Sequence, residues 1–398
     1  MTERLYYNDS FLREFDAQVL ACEPEGARWR VRLDCTAFYP TSGGQPFDTG
    51  HLGAAAVVEV LDAENDEIAH FTDQPVAAGA VHAVVDWPRR FDHMQQHTAQ
   101  HMLSAAFIEL FKFQTVSFHL GRDISTIDLA APSVAPRQLE EAERRVNEII
   151  FDDRSIAVRY GTAEELATQG IRKKVDREGT LRVIDIDGFD RQPCGGTHLA
   201  RTGQAGMLLV RKCERQKQNW RIEFVAGWRA LAAGRADFGT LRQAAEYLGC
   251  GMAELPENVR KIQEERRATQ RDAKKLTERL AELEAADLLA RHAETSHDGK
   301  RRIIVSISDD ASSSYLAFLA AKIVATPNTR VILASRAVQA IVLAQSAGLD
   351  GDMGALLREL LGAVGGKGGG SKLFAQGSVA DAPALEEIIT GARARLLS

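Results

Sequence analysis

The chain has 398 residues, long for a single hydrophobic core, so two or three domains are expected. Its 45% hydrophobic and 26% charged residues are those of a globular protein, and the absence of an 18-residue apolar run and of a secretory apolar core points to a cytoplasmic protein without a membrane partner. A net charge of -6 disfavours a chain that binds nucleic acid over its whole surface, and five cysteines (22, 35, 194, 213, 250), odd in number and without CxxC spacing, read as reduced thiols.

Residues 1–90 read mainly as strands. Runs at 29–33, 57–61 and 80–86 gather β-branched residues between Gly, Pro and Asp punctuation, which predicts a small β-barrel. The polar, glycine-bearing stretch 40–44, with Gly43 and Gly44, interrupts them. It reads either as an ordinary connection or as a loop whose backbone approaches a ligand closely.

Residues 91–250 carry the chemistry. A helix is predicted at 92–112, a β segment at 116–129 and a helix at 136–151, with Glu140, Glu141, Glu143, Arg144 and Arg145 on its solvated face. A strand at 181–186 then leads to Cys194-Gly195-Gly196-Thr197-His198, and 207–213 with 220–226 read as a closing hairpin. Arg201, Arg211, Lys212, Arg215, Lys217, Arg221 and Arg229, with Arg172, Lys173, Lys174 and Arg177, form either a solvated basic face or a set of phosphate contacts.

Two spacings within this region point to a metal. His97 and His101 in His97-Thr98-Ala99-Gln100-His101 lie four apart, on one face of a helix whose apolar continuation begins at Met102. Cys194 and His198 are also four apart, with two glycines between them that favour a tight loop or a helix start. Three imidazoles and one thiolate suit zinc better than magnesium or calcium. His93 extends the histidine run, but three residues at this spacing span about 12 Å of rise. It is therefore assigned outside the ligand set, as a neighbour of the ligands or a solvent residue. Thr98 stands where a metalloprotease motif would need its general-base Glu, which argues against that chemistry.

From 251 to 297 the sequence reads as a helical spacer or coiled coil. Val259, Ile262, Ala273, Leu276, Leu280, Leu283 and Ala290 recur in a 3-4 rhythm, suiting a spacer or a homodimer helix. Residues 298–398 read as a separate α/β domain, with strands at 302–307, 330–335 and 340–344 and helices at 313–326 and 353–361. Gly365 to Ser371 lacks the order of a phosphate-binding Walker loop. It is either a flexible linker or a loop in which Gly366, Lys367, Gly368 and Gly369 grip phosphate or ribose.

Taken together, the HxxxH pair, the Cys-Gly-Gly-Thr-His segment followed by Thr202-Gly203, and Thr36-Ala37-Phe38-Tyr39-Pro40-Thr41-Ser42-Gly43-Gly44-Gln45 resemble the editing domain of alanyl-tRNA synthetase. With no aminoacylation domain ahead of them, the chain is similar to the long type of freestanding alanyl-tRNA editing protein, over nearly its whole length. The resemblance implies an α+β protein: a β-barrel over 1–90, a zinc-binding editing domain over 91–250, the helical spacer, and a C-terminal DHHA1-like RNA-binding domain. It implies one zinc on His97, His101, Cys194 and His198, and trans-editing of alanine-specific tRNA mischarged with serine or glycine. An alanine pocket cannot strongly reject serine, which merely adds a hydroxyl, so a second site must remove the error. The family's reader of that hydroxyl corresponds to Thr36, with Gln45 close by. Four protein ligands close a zinc shell, so the metal either orients the substrate or gains an open position when Cys194 yields to water. The alternatives are a threonyl-type editing hydrolase, against which the loop ending at Gln45 and the glycine-rich tail both argue, and a non-enzymatic tRNA-binding protein.

Overall fold

The computed structural model describes residues 2–63, 66–162, 179–291, 293–296 and 299–397. The candidate phosphate contacts Arg172, Lys173, Lys174 and Arg177 lie outside them. The chain divides into two units, Met1–Tyr247 and Leu248–Ser398.

In the first unit, six strands close an antiparallel barrel: β1 (Glu14–Glu25), β2 (Arg28–Leu33), β3 (Gly50–Leu52), β4 (Ala55–Asp62), β5 (Ile68–Thr72) and β6 (Gly79–Val85), in the order β1-β2-β5-β4-β3-β6. Alternation explains the barrel: Phe15, Ala17 and Val19 of β1 point inward, as do Val31 and Leu33 of β2, and they pack on Val57, Val60 and Ala83.

Leaving β6, the chain enters α1 (Trp87–Phe111), several residues earlier than expected. Asp86 caps it by accepting from Arg89 N–H at 3.3 Å, and Pro88 fits the first turn because no backbone donor is needed there. Lys112, at φ 62°, ends it in a left-handed turn. Residues 93–107 of α1 are buried all round, which identifies it as the central helix of the unit and not an amphipathic surface helix. The expected β segment at 116–129 is a hairpin of β7 (Gln114–Leu120) and β8 (Ser125–Ala130). After α2 (Pro136–Phe151) come β9 (Ile156–Thr162), β10 (Thr180–Ile186) and β11 (Asp190–Pro193), joined as a small sheet, then the hairpin of β12 (Leu208–Gln216) and β13 (Asn219–Ala226). β12, β13, β8 and β7 form one antiparallel sheet against α1 and α2, with Ile127, Leu129, Ile222 and Phe224 in the shared core. A further helix, α3 (Gly227–Leu248), follows.

The second unit begins with α4 (Leu255–Arg291). Its C-terminal part is not a free-standing spacer, because Ala281, Ala285 and Leu288 pack into the core of this unit. The helix also ends before 295, at β14 (Ala293–Thr295), an edge strand of a six-stranded sheet. That sheet continues through β15 (Arg302–Ser308), β16 (Thr329–Ser335) and β17 (Ala340–Gln345), with α5 (Ser313–Val324) linking the parallel pair β15 and β16. After α6 (Met353–Val364), the glycine-rich stretch is not a linker. Lys367–Gly370 forms β18, the other edge strand, paired with β19 (Phe374–Ser378) ahead of α7 (Ala382–Leu397). A Cβ on Gly368 would sit 2.5 Å from the Gly377 backbone, so here glycine permits a close strand approach.

Candidate metal centre

α1 presents His97 and His101 on one face, and the loop after β11 brings Cys194 and His198 against them. One ligand atom from each lies within 4.8 Å of the others. Cys194 Sγ is 3.4 Å from His97 Nε2 and 3.3 Å from His198 Nε2. Those separations approach the edge of about 3.5 Å between sulfur and nitrogen on a tetrahedron of ordinary zinc bond lengths. The three histidines are buried and Cys194 is partly exposed.

The outer ring nitrogens explain which atoms face inward. Gln45 Oε1 accepts from Thr197 N–H at 3.2 Å, and its Nε2 donates to Thr197 Oγ1 at 2.9 Å, which fixes the amide's orientation. Gln45 Oε1 therefore accepts a hydrogen bond from His97 Nδ1–H at 2.8 Å, which leaves Nε2 bare for a metal. Thr98 Oγ1, already accepting from Leu199 N–H, lies 3.2 Å from His198 Nδ1 and plays the same part for that ring. Asp190 Oδ2 faces His101 Nδ1 at 3.4 Å. Each imidazole thus has an oxygen partner behind it, the arrangement that orients histidine ligands.

The electrostatics agree with a thiolate in the set. Burial alone would raise the Cys194 thiol, but the neighbouring His97 and His198 outweigh it and hold the thiol well below the ordinary cysteine value. Burial, reinforced by His97, pushes His198 toward its neutral form. Burial likewise opposes a proton on His101, yet Asp190 and Cys194 prevail and raise it.

The upstream motif arrives by way of a tight turn. Ser42 and Gln45 exchange both backbone hydrogen bonds across Gly43 and Gly44, whose φ values of 56° and 85° suit glycine. This turn delivers Gln45, fully buried, to the metal loop, and a Cβ on Gly44 would meet Phe118 O at 2.7 Å. Gln45, expected as a substrate-binding residue, thus also bonds His97. Thr36 is also fully buried. Its hydroxyl pairs with His70 Nε2 at 2.8 Å and accepts from Phe38 N–H at 3.1 Å, and bonds none of the four convergent residues. His93 is 4% exposed, not a solvent residue, and burial with the nearby arginines lowers its pKa to about 3.

Sequence reasoning missed the supporting residues. Thr98 and Thr197 lie inside the two motifs and were open to inspection there. Asp190 and Arg182, whose Nη1 donates to the carbonyls of Cys194 and Gly196 at 2.6 and 3.0 Å, carry no local signal. The basic candidates are engaged close by: Arg211 with Asp237, Lys212 with Glu214, and Arg221 with Asp128. Gly366 precedes β18, while Lys367, Gly368 and Gly369 lie within it.

Comparison with known proteins places this geometry in context. Residues 181–223 match the family model described as the threonyl and alanyl tRNA synthetase second additional domain. The chain is 30% identical to alanyl-tRNA editing protein AlaX-L of Pyrococcus horikoshii, with 100% of this chain and 99% of that protein aligned. It is 32% identical to alanyl-tRNA editing protein Aarsd1 of Mus musculus, over 70% of this chain and 71% of the relative. Alanine–tRNA ligase of Pyrococcus abyssi is 30% identical over 98% of this chain and 43% of the ligase. With the Pyrococcus horikoshii protein matched end to end, and the motif residues gathered at one centre, the chain belongs to the family of alanyl-tRNA editing proteins.

Proposed function

We propose that the protein is a trans-editing hydrolase that cleaves the ester of alanine-specific tRNA mischarged with serine, and also with glycine. The observation that carries this reading is the convergence of His97, His101, Cys194 and His198, with Gln45 of the upstream motif bonded to both His97 and Thr197.

The donor set fits one zinc ion per protomer, since the outer nitrogens of the rings face Gln45, Asp190 and Thr98. When bound, zinc supplies a positive charge for orienting the terminal adenosine or amino group of the substrate. The residues of the chain do the rest. Gly43 and Gly44, having no side chains, let the backbone of their turn approach the substrate closely. Thr36 reads the serine hydroxyl, and alanine is spared because it would leave that position unpaired. Water attacks an ester that is already activated, so no protein nucleophile is required.

For tRNA binding, Arg211, Lys212 and Arg221 would exchange intramolecular carboxylates for phosphates, at small cost because such surface pairs contribute little. The region 298–398 supplies a second contact through Gly366, Lys367, Gly368 and Gly369, where the edge strand leaves backbone groups unpaired by a further strand. Exposed Leu276, Leu280 and Leu283 on α4 follow heptad spacing and favour a homodimer through that helix. Division into a barrel (1–90), an editing domain (91–250), a helical segment (251–297) and an RNA-binding domain (298–398), acting in the cytoplasm, completes the proposal.

The test is deacylation of seryl-tRNA by the purified protein before chelation, after it, and after zinc is restored. Loss and recovery are expected. A zinc-loaded protein that binds the tRNA but leaves the ester intact would refute the hydrolase reading in favour of a binding protein.

A further inference from the structure

Thr36 and His70 form a fully enclosed pair between the two-residue strand Cys35–Thr36 and β5 of the barrel. His70 Nδ1 lies 3.3 Å from the carbonyl oxygen of Val31, which can only accept, so Nδ1 carries a proton. Burial lowers His70 to a pKa of about 4, so the ring is neutral and holds that one proton alone. Its Nε2 is then a bare acceptor, 2.8 Å from Thr36 Oγ1, and the threonine hydroxyl must donate to it. Thr36 Oγ1 also accepts from Phe38 N–H at 3.1 Å. A hydroxyl has one proton and two lone pairs. The proton and one lone pair are spent, and one lone pair remains.

We propose that His70 is a specificity-determining positioning residue: by holding the Thr36 proton, it leaves Thr36 able to accept a hydrogen bond but not to donate one. The inference rests on Thr36 as the reader of the serine hydroxyl. An acceptor fixed in this way is satisfied by a side chain that brings a proton, as serine does and alanine does not. Without the His70 acceptor the threonine hydroxyl would be free to turn, and the lone pair that receives the serine proton would no longer be held in place, so the serine contact would weaken while alanine, which makes none, would be unaffected.

The experiment compares kcat/KM for seryl- and alanyl-tRNA in the wild type, His70→Asn, His70→Gln and Thr36→Val, and in the double variant Thr36→Val with His70→Asn, all at equal zinc content. An Asn amide reaches the Nδ1 position and can still serve Val31 but not Thr36, whereas the longer Gln amide reaches the Nε2 position. His70→Asn should lower the seryl-to-alanyl ratio roughly 2- to 12-fold, the worth of one hydrogen bond. His70→Gln should keep most of it, and His70→Asn should add nothing once Thr36 is valine. A ratio reduced by Thr36→Val but untouched by His70→Asn overturns the role of His70. So does an equal further loss in the double variant, which would mark a general packing effect. A ratio unmoved by Thr36→Val overturns the reading of Thr36 itself, and this inference with it.

Discussion

Replacing Gln45 with leucine keeps the side-chain volume nearly constant while deleting both polar ends of the amide. Two buried donors lose their acceptor, His97 Nδ1–H and Thr197 N–H, and Thr197 Oγ1 loses its donor. A buried donor left unpaired costs about 1–3 kcal/mol, so roughly 2–6 kcal/mol is at stake across the two N–H groups. Part of this falls on metal affinity, because His97 is no longer held with Nε2 inward; loss of such a partner typically weakens binding about 10- to 100-fold. The remainder falls on the fold. For a unit of this size each kcal/mol shifts Tm by about 2–4 °C, so the zinc-loaded variant should melt at least about 4 °C lower. Gln45→Glu is the control. A carboxylate accepts from both donors, and Thr197 Oγ1 can donate to it instead of accepting. Zinc affinity is read by competition with a chelator of known strength, and stability by thermal unfolding with and without zinc. Should Gln45→Leu hold zinc as tightly as Gln45→Glu and the wild type, the assignment of Gln45 as the brace of His97 is wrong.

Other outcomes follow from the same geometry. Cys194→Ala and His101→Ala should each lose zinc and deacylation together, while His93→Ala should keep full zinc stoichiometry and melt lower because it leaves a buried space; metal analysis of the three variants decides. In Gly196→Ala the added methyl would sit 2.5 Å from His97 Nδ1, so zinc binding should fail although no ligand has changed, and normal zinc content would refute the close approach. Asp185 is buried, which opposes its ionisation, but Arg191 and Arg159 at 2.8 and 2.6 Å hold its carboxyl below the ordinary value of 3.8. A depressed carboxylate stabilises the fold fully above about pH 4 and loses that contribution as pH falls through its lower folded value. Asp185→Asn should therefore melt lower than the wild type at pH 7, with the gap closing as pH falls below the ordinary carboxylate value; a constant gap across pH would point to packing.

How far the sequence carried depends on how local each cause is. The barrel was legible because alternation in 29–33 and 80–86 is a property of single strands, and α2 was legible because its apolar stripe repeats at helical spacing. The start of α1 was not, since Asp86 and Pro88 read equally well as punctuation after a strand. The four residues that converge announced themselves by chemistry and spacing within two short segments. Their partners did not: Asp190 reaches His101 only because β11 pairs with β10, and Gln45 reaches Thr197 across 152 positions. The linker alternative for the glycine-rich stretch failed for a related reason. Glycine signals freedom in isolation, but Gly368 is fixed by a neighbouring strand that no local pattern reveals.

The same long-range bonds bear on why the motif from Thr36 to Gln45 occurs together with the His97–His101 and Cys194–His198 pairs. Gln45 is both the end of the motif that begins at Thr36 and the acceptor that orients His97, so a shift of that loop reaches the metal centre directly. A second tie runs along α1. Arg90, fully buried, pairs with Asp48 and donates to the carbonyls of Ala37 and Ser10, and Asp48 in turn accepts from Tyr39 N–H at 2.7 Å. Ser10 Oγ then accepts from His198 N–H at 3.3 Å. A buried ion pair of this kind contributes little net stability, yet removing one partner strands a charge at a cost of about 3–5 kcal/mol. Its value lies in register: it joins the loop carrying Thr36 to the helix carrying His97 and His101, two elements that the barrel wall would otherwise let slide. Under the proposed function, a site that separates serine from alanine by a single hydroxyl needs Thr36 and the His97, His101, Cys194 and His198 centre at a constant separation. Arg90 and Gln45 supply that constraint from opposite ends of the same loop.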